Sequence, residues 1–261
     1  MQHPLRQARP DDPFLRLRMV DPDIGAYAID GDHVALLRTG RMSGETWVTA
    51  LGDDPARILA LIEELRPHGF DGVTAHDHVF EQLPDELRGP DPGHWSLWEL
   101  TSPDSLESAL VRADLADSDD TTAHSANMAV RLEPLDPRID PLLEHSSSAY
   151  IHAGDPHVEE WRGIVDGDAL IAVGARVGAA HGRAHLVSIC TDPAQRGRGL
   201  GRAITSALAA EALASGATGV WLEMYADNAV AARAYRGVGF EEMGRYRSAL
   251  LDGPSSPASE A

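Results

Sequence analysis

From Arg196 to Arg202 the chain reads RGRGLGR, three glycines interleaved with three arginines and one leucine. An apolar run, Arg183–Cys190, precedes it. A helical pattern follows, with Leu200, Ile204, Leu208 and Leu213 at helical spacing and Gly216 as the stop. A strand that turns through glycines into a helix places unpaired amides at the helix start. The helix dipole makes such a start an anion site, and glycine lets a ligand approach the backbone closely. Arg196, Arg198 and Arg202 add formal charge, which suits a pyrophosphate. No Gly-Lys-Ser/Thr follows, so this is not a nucleotide P-loop, and the GxGxxG dinucleotide spacing is absent here.

Around this segment the second half reads as an ordered series. Strands are expected at Ala129–Leu135, Ala169–Val177, Arg183–Cys190, Gly219–Tyr225 and within Phe240–Leu250. Helices are expected at Pro141–Tyr150, Gly199–Ser215 and Ala229–Gly237, with a helical turn at His157–Gly163. The strand Val220, Leu222, Met224 puts three apolar side chains on one face, and Trp221, Glu223 and Tyr225 on the other. Next comes LEMYADNAVAARAYRGVGF, residues 222–240.

Two blocks together carry a resemblance. The Arg196–Gly201 segment fits Gln/Arg-x-x-Gly-x-Gly/Ala, the CoA-binding signature of the GNAT superfamily of N-acetyltransferases. Leu222, Met224, Asn228, Ala231, Tyr235, Gly239 and Phe240 fall at that family's later spacing. The resemblance covers about half the chain. It implies an α/β (α+β) GNAT fold, a mixed and mostly antiparallel sheet flanked by helices, with acetyl-CoA as cosubstrate and no metal. Backbone groups of Ile189, Cys190 and Thr191 would then pair with the pantetheine arm. Amides of Arg196, Gly197, Arg198, Gly199, Leu200, Gly201 and Arg202 would surround the pyrophosphate. Asn228 would bind pantetheine or cap a helix, a role asparagine also favours. Tyr235 would protonate the departing thiolate; a phenol keeps its proton at neutral pH and can act as that acid.

Direct transfer to an amine needs a base. Glu223 is the first candidate, with His185, Ser188 and His152 behind it. Tyr150, His157, Glu159, Glu160 and Trp161 lie where the family builds an acceptor pocket. The single cysteine, Cys190, has no His–Asp pair placed to activate it and reads as a buried strand residue rather than a nucleophile. His181 and His185 straddle a turn, so their i, i+4 spacing does not make a metal site.

The first half repeats the order without the motif. Ile24–Ile29, His33–Arg38, Glu45–Ala50, Phe70–Ala75 and His94–Leu100 read as strands. Pro55–Arg66 reads as an amphipathic helix and Val79–Leu87 as a short one. Its strand-to-helix turn, Leu51–Arg57, carries Asp53 and Asp54 instead of a glycine pair and would repel pyrophosphate. The expected organisation is a degenerate GNAT-like domain at 14–116, a linker at 117–127, a catalytic domain at 128–252, and mobile ends at 1–13 and 253–261. Leu106–Leu115 is expected as a short helix before the linker.

Charge bounds the partners. The net charge is −19 and every Lys/Arg position is arginine. Nucleic-acid binding needs a basic face, so no nucleic-acid partner is expected; a cationic amine would be drawn in. No apolar run reaches membrane-spanning length, and the first residues lack a signal-peptide core. A cytoplasmic enzyme acetylating a small-molecule primary amine is the expectation, and a homodimer is compatible with it. A peptide N-acetyltransferase and a non-catalytic acyl-CoA sensor are the alternatives.

Overall fold

The structure is a computed structural model that describes residues 2–40, 44–101, 106, 129–178 and 180–251. The expected linker at 117–127, nearly all of the Leu106–Leu115 helix and the tail at 253–261 lie outside the described residues. The chain forms two compact units. One comprises Met1–Ser96, Tyr225–Asp227 and Gly244–Ala261; the other comprises Leu97–Met224 and Asn228–Met243.

The first unit opens with α1 (Pro4–Ala8) and α2 (Pro13–Leu17). Then come β1 (Ile24–Asp30), β2 (His33–Thr39), β3 (Thr46–Leu51), α3 (Pro55–Leu65) and β4 (Gly72–His76). Two short helices, α4 (Asp77–Phe80) and α5 (Asp85–Arg88), precede β5 (Gly93–Leu100). β1–β2 and β2–β3 are antiparallel and β3–β4 is parallel. Ile58, Leu61, Ile62 and Leu65 of α3 pack with Val48, Ala50, Val73 and Ala75 of the sheet. This α3 stripe is the 3.6-residue periodicity of the sequence converted into burial.

Two expectations for this half are corrected. Residues 1–13 are not loose, since Leu5 is fully buried and Phe14 and Leu15 follow it into the core. Asp12 caps α2 by accepting from the Phe14 and Leu15 amides, and Arg6 donates to the Leu15 and Met19 carbonyls. Pro4 and Pro13, which suggested disorder, each sit at a helix start, where proline's missing N–H costs nothing. The single helix expected at Val79–Leu87 is split around Pro84, which cannot continue a helix.

The second unit holds β6 (Val130–Leu132), α6 (Ile139–Leu143), β7 (Val158–Asp166), β8 (Ala169–Gly178) and β9 (Ala184–Thr191). After these come α7 (Leu200–Ala214), β10 (Val220–Tyr225), α8 (Ala229–Val238) and β11 (Glu241–Leu250), whose last residues belong to the first unit. There Tyr246–Leu250 pairs antiparallel with β4. β6–β7, β7–β8 and β8–β9 are antiparallel, and β9–β10 is parallel. Leu200, Ile204 and Leu208 of α7 pack with Val220, Leu222 and Met224 of β10, Tyr235 of α8 and Trp98. On the other face, α6 packs with Trp161, Val173, Val187 and Cys190.

Here three further expectations give way. α6 ends at Leu143 instead of running to Tyr150, and β6 spans three residues. His157–Gly163 is no helical turn: Val158 onward is strand, with Trp161 and Ile164 in the core. The charges that made the segment look like a solvated turn form a ladder across neighbouring strands. Arg162 and Arg176 both pair with Glu160, at 2.7 and 3.4 Å. Arg176 also reaches Glu159, at 3.1 Å, and Arg162 reaches Glu211 of α7, at 3.2 Å.

Gly174 of β8 lets α7 lie close to the sheet. A β-carbon there would come within 2.7 Å of Ile204, 3.0 Å of Leu208 and 3.2 Å of Ile189. Gly174→Ala is therefore expected to destabilise by about 1–3 kcal/mol through overpacking. Differential scanning calorimetry checks this as a lowered Tm. Among the described residues, no helix is long and apolar enough to cross a membrane, and no cluster of three or more His, Cys, Asp or Glu is placed to hold a metal.

Candidate active site

β9 and β10 are joined only at their beginnings. The parallel register pairs Val220 with Ala184 and Trp221 with His185, and no further pair follows. β9 runs on to Thr191 and β10 to Tyr225, so the two strands part after the His185–Trp221 pair. That pair is marked by parallel ring stacking, with centroids 3.7 Å apart and planes 4° apart. Edge groups of β9 beyond it are left for an extended ligand to pair with, as an added strand would.

A bulge sits inside the opening. Ser188 has φ 52°, in the left-handed region, and the β8–β9 register slips between Val173 and Ala175. Its effect is visible in the faces. Leu186 packs toward α7 and Val187 toward α6. Ser188 also turns to the α6 side, its hydroxyl donating to the Ile151 carbonyl at 2.8 Å. Alternation then resumes, with Ile189 toward α7 and Cys190 toward α6. Two consecutive residues on one face are what an inserted residue produces, and bulges of this kind re-aim backbone groups beside active sites. Nothing in the run HLVSIC signalled it.

At the end of β9 the chain turns through Gly197 (φ 82°) and Gly199 (φ 75°) into α7. Its N-cap is Gly199, and among the described residues no side chain caps that helix. Its first turn lies against the strand end; a β-carbon on Gly201 would be 3.6 Å from the Thr191 hydroxyl. Arg198 is exposed and hydrogen-bonds Gln195. Arg202 runs beside α8, where a β-carbon on Gly237 would come 3.2 Å from its Cδ. Arg196 is exposed and donates to the Thr191 and His145 carbonyls, at 3.3 and 3.2 Å. Uncapped amides, two left-handed glycines and an open strand edge follow one another along this stretch, an arrangement that fits an extended ligand bearing phosphate.

The equivalent turn of the first unit is built the other way. Asp54 accepts from the Ala56 and Arg57 amides, at 2.9 and 3.3 Å, so a carboxylate of the chain occupies the start of α3. β3 and β4 stay paired from Trp47–Gly72 to Ala50–Ala75, with no parting.

Residues 129–240 match the model of the acetyltransferase (GNAT) family. This segment is a GNAT-family domain. No curated protein matches the chain. Solved structures resemble it over most of its length. A putative GNAT-family acetyltransferase from Novosphingobium aromaticivorans is 19% identical with a TM-score of 0.53, and the match covers 84% of this chain and 89% of that one. A GCN5-related N-acetyltransferase from Kribbella flavida is 16% identical with a TM-score of 0.53, covering 87% and 90%. At such identity the likeness is one of fold.

Within the GNAT domain the named residues take distinct positions. Tyr235 is buried between Trp98 and Phe240, at centroid distances of 6.5 and 6.1 Å, and desolvation pushes its phenol up to about 12. Glu223 is half-buried, two residues past the last paired position of β10 and thus at the opening. Asn228 caps α8, its Oδ1 accepting from the Ala231 amide at 3.0 Å. Cys190 is buried, its thiol held above the ordinary value by desolvation and donating to the Leu142 carbonyl at 3.3 Å. That is the environment of an inert packing cysteine.

Of the acceptor candidates, Tyr150 and His157 have exposed surface; His157 pairs with Asp155 at 3.0 Å. Glu159 is also exposed and is engaged by Arg176. Trp161 is 1% and Glu160 4% exposed. A side chain that covered has no face to offer an acceptor, and their packing in the core and in the arginine ladder accounts for both.

Proposed function

We propose that the chain is an acetyl-CoA-dependent N-acetyltransferase that moves an acetyl group to a primary amine of a small molecule within a ternary complex. The observation that carries this reading is the parting of β9 and β10 on the strand that leads into the uncapped start of α7. Ile189, Cys190 and Thr191 pair with the extended arm of the donor, and the segment Arg196–Arg202 takes its pyrophosphate. The donor supplies an activated thioester carbonyl. Backbone amides beyond the Ser188 bulge face the charge that develops on the carbonyl oxygen. Glu223 takes the proton from the attacking amine.

Tyr235 faces the leaving sulfur. Full transfer from a phenol near 12 to a thiolate with an ordinary value of about 8.5 is uphill by roughly 5 kcal/mol. Tyr235 therefore acts by hydrogen-bonding the sulfur as the C–S bond breaks, and the proton lost by the amine completes the thiol. The acidic surface, net −19, favours a cationic acceptor. The first unit, with its capped helix and closed strand pair, is read as a degenerate GNAT-like domain that takes no donor. The lone buried Cys190 suits a reducing cytoplasm.

An acetyl-CoA assay across small amines and peptides, following CoA release, tests the reading. Turnover is expected with at least one small primary amine. Turnover confined to peptides would replace the acceptor class, and donor binding without any turnover would replace the enzyme with a binding module.

A further inference from the structure

Strand β5 changes unit along its length: its first residues, through Ser96, belong to the first unit, and Leu97 onward belongs to the second. That second part ends inside the core of the GNAT domain. Trp98, Leu100 and Leu106 are buried in one cluster with Ile204, Leu222, Tyr235 and Phe240. All three lie upstream of residues 129–240, the segment that matches the family model. The matched segment therefore does not contain its whole core. Trp98 is 1% exposed and meets two successive residues of α8. Its ring centroid lies 6.5 Å from that of Tyr235, with the planes 60° apart, and the Arg236 guanidinium sits 4.8 Å from the indole centre. Arg236 is in turn paired with Glu242, at 3.4 Å. Phe240 approaches Tyr235 to 6.1 Å. One indole thus engages the phenol by aromatic contact and its neighbour by a cation over the ring.

We propose that Trp98 is a positioning residue for Tyr235, a wall supplied from outside the family segment that fixes the ring of the phenol and shuts water away from it. The inference rests on the reading of Tyr235 as the hydrogen-bond donor to the leaving sulfur, and deepens it. A ring packed against Trp98 and Phe240 keeps one orientation while the C–S bond breaks. A hydroxyl in dry surroundings also bonds the growing charge more strongly than one in water. Desolvation of the same ring raises its phenol to about 12. The first half of the chain thereby takes part in the reaction through one strand, without a donor site of its own.

Nuclear magnetic resonance of the full-length chain, labelled with carbon-13 at tyrosine Cζ, tests this. The chain has no lysine, so no lysine ammonium titrates alongside the phenols. Tyr235→Phe assigns the Tyr235 signal. At about pH 11, midway between the ordinary phenol value and the raised one, the wild-type signal should be about one-tenth phenolate. In Trp98→Ala it should be more than about half phenolate, moving toward the ordinary value of about 10. Trp98→Leu should fall between, and Trp98→Phe, which keeps a ring against Tyr235, should match the wild type. Circular dichroism at the same pH shows which variants are folded, and Trp98→Leu carries the test if Trp98→Ala is not. In the acetyl-CoA assay, the folded Ala or Leu variant is expected to lose about 100-fold in kcat, the usual cost of displacing a reacting group by about an ångström. KM for acetyl-CoA should stay within a few-fold, and Trp98→Phe should restore kcat. A Tyr235 phenol that titrates alike in the wild type and in a folded Trp98→Ala or Trp98→Leu protein would overturn the proposal, whatever the rate does. Undiminished kcat in Tyr235→Phe would instead remove the reading of Tyr235 as the donor, and the catalytic meaning of the wall with it.

Discussion

Tyr235→Phe is expected to lower kcat by about 10²–10³-fold, the usual range for losing one hydrogen-bond donor to the charge that develops in the transition state, while leaving acetyl-CoA affinity within a few-fold. The change removes one oxygen and keeps the ring that packs between Trp98 and Phe240, so folding should survive. Steady-state kinetics with isothermal titration calorimetry separates the two effects. A variant that loses donor binding and kcat together would place Tyr235 in the architecture instead. The pH dependence has a definite sign. Desolvation raises the phenol from 10 to about 12. The folded protein therefore holds that proton more tightly than the unfolded chain does. The stability linked to it is complete below about pH 10 and is lost as pH rises toward 12. Tyr235 accordingly contributes no alkaline limb to the rate profile between pH 6 and 9, and a fall there belongs to another group.

Much of the candidate site's backbone was legible because it is local in sequence. The glycine-rich turn from strand to helix was read directly from residues 196–202, and in it Gly197 and Gly199 take left-handed φ. The apolar face of Val220, Leu222 and Met224 reached the core by simple alternation. The features that escaped depend on contacts between distant residues. The bulge at Ser188 is set by what β8 and the Ile151 carbonyl offer on either side, and a serine in an apolar run gives no hint of it. The buried place of Glu160 depends on Arg176, sixteen residues away on the next strand. The side chains of Cys190, Arg196 and Ser188 donate to backbone carbonyls of Leu142, His145 and Ile151, which no side-chain pattern reveals.

The same division explains the two halves. The first unit has a strand order and an amphipathic helix that burial alone maintains. Its Asp54 cap was legible as a helix start, with Pro55 at the first helical position. What the sequence could not convey is that β3 and β4 stay zipped along the length where β9 and β10 separate. Glycines placed at Asp53 and Asp54 alone would thus free the helix start and still leave no edge for an extended ligand.

The most direct test of the central claim is calorimetric titration of acetyl-CoA into the wild-type chain and into an Arg198→Glu, Gly199→Glu double variant. The variant places two carboxylates at the start of α7 and a side chain at a backbone position with φ 75°. It should reduce affinity by at least 100-fold, since each removed charge-assisted contact contributes about 1.5–3 kcal/mol. Circular dichroism is run alongside to show that the fold is retained. Micromolar binding by the wild type that vanishes in the folded variant is the predicted result. A wild-type chain that does not bind acetyl-CoA, or a folded variant that binds it equally well, would contradict the account.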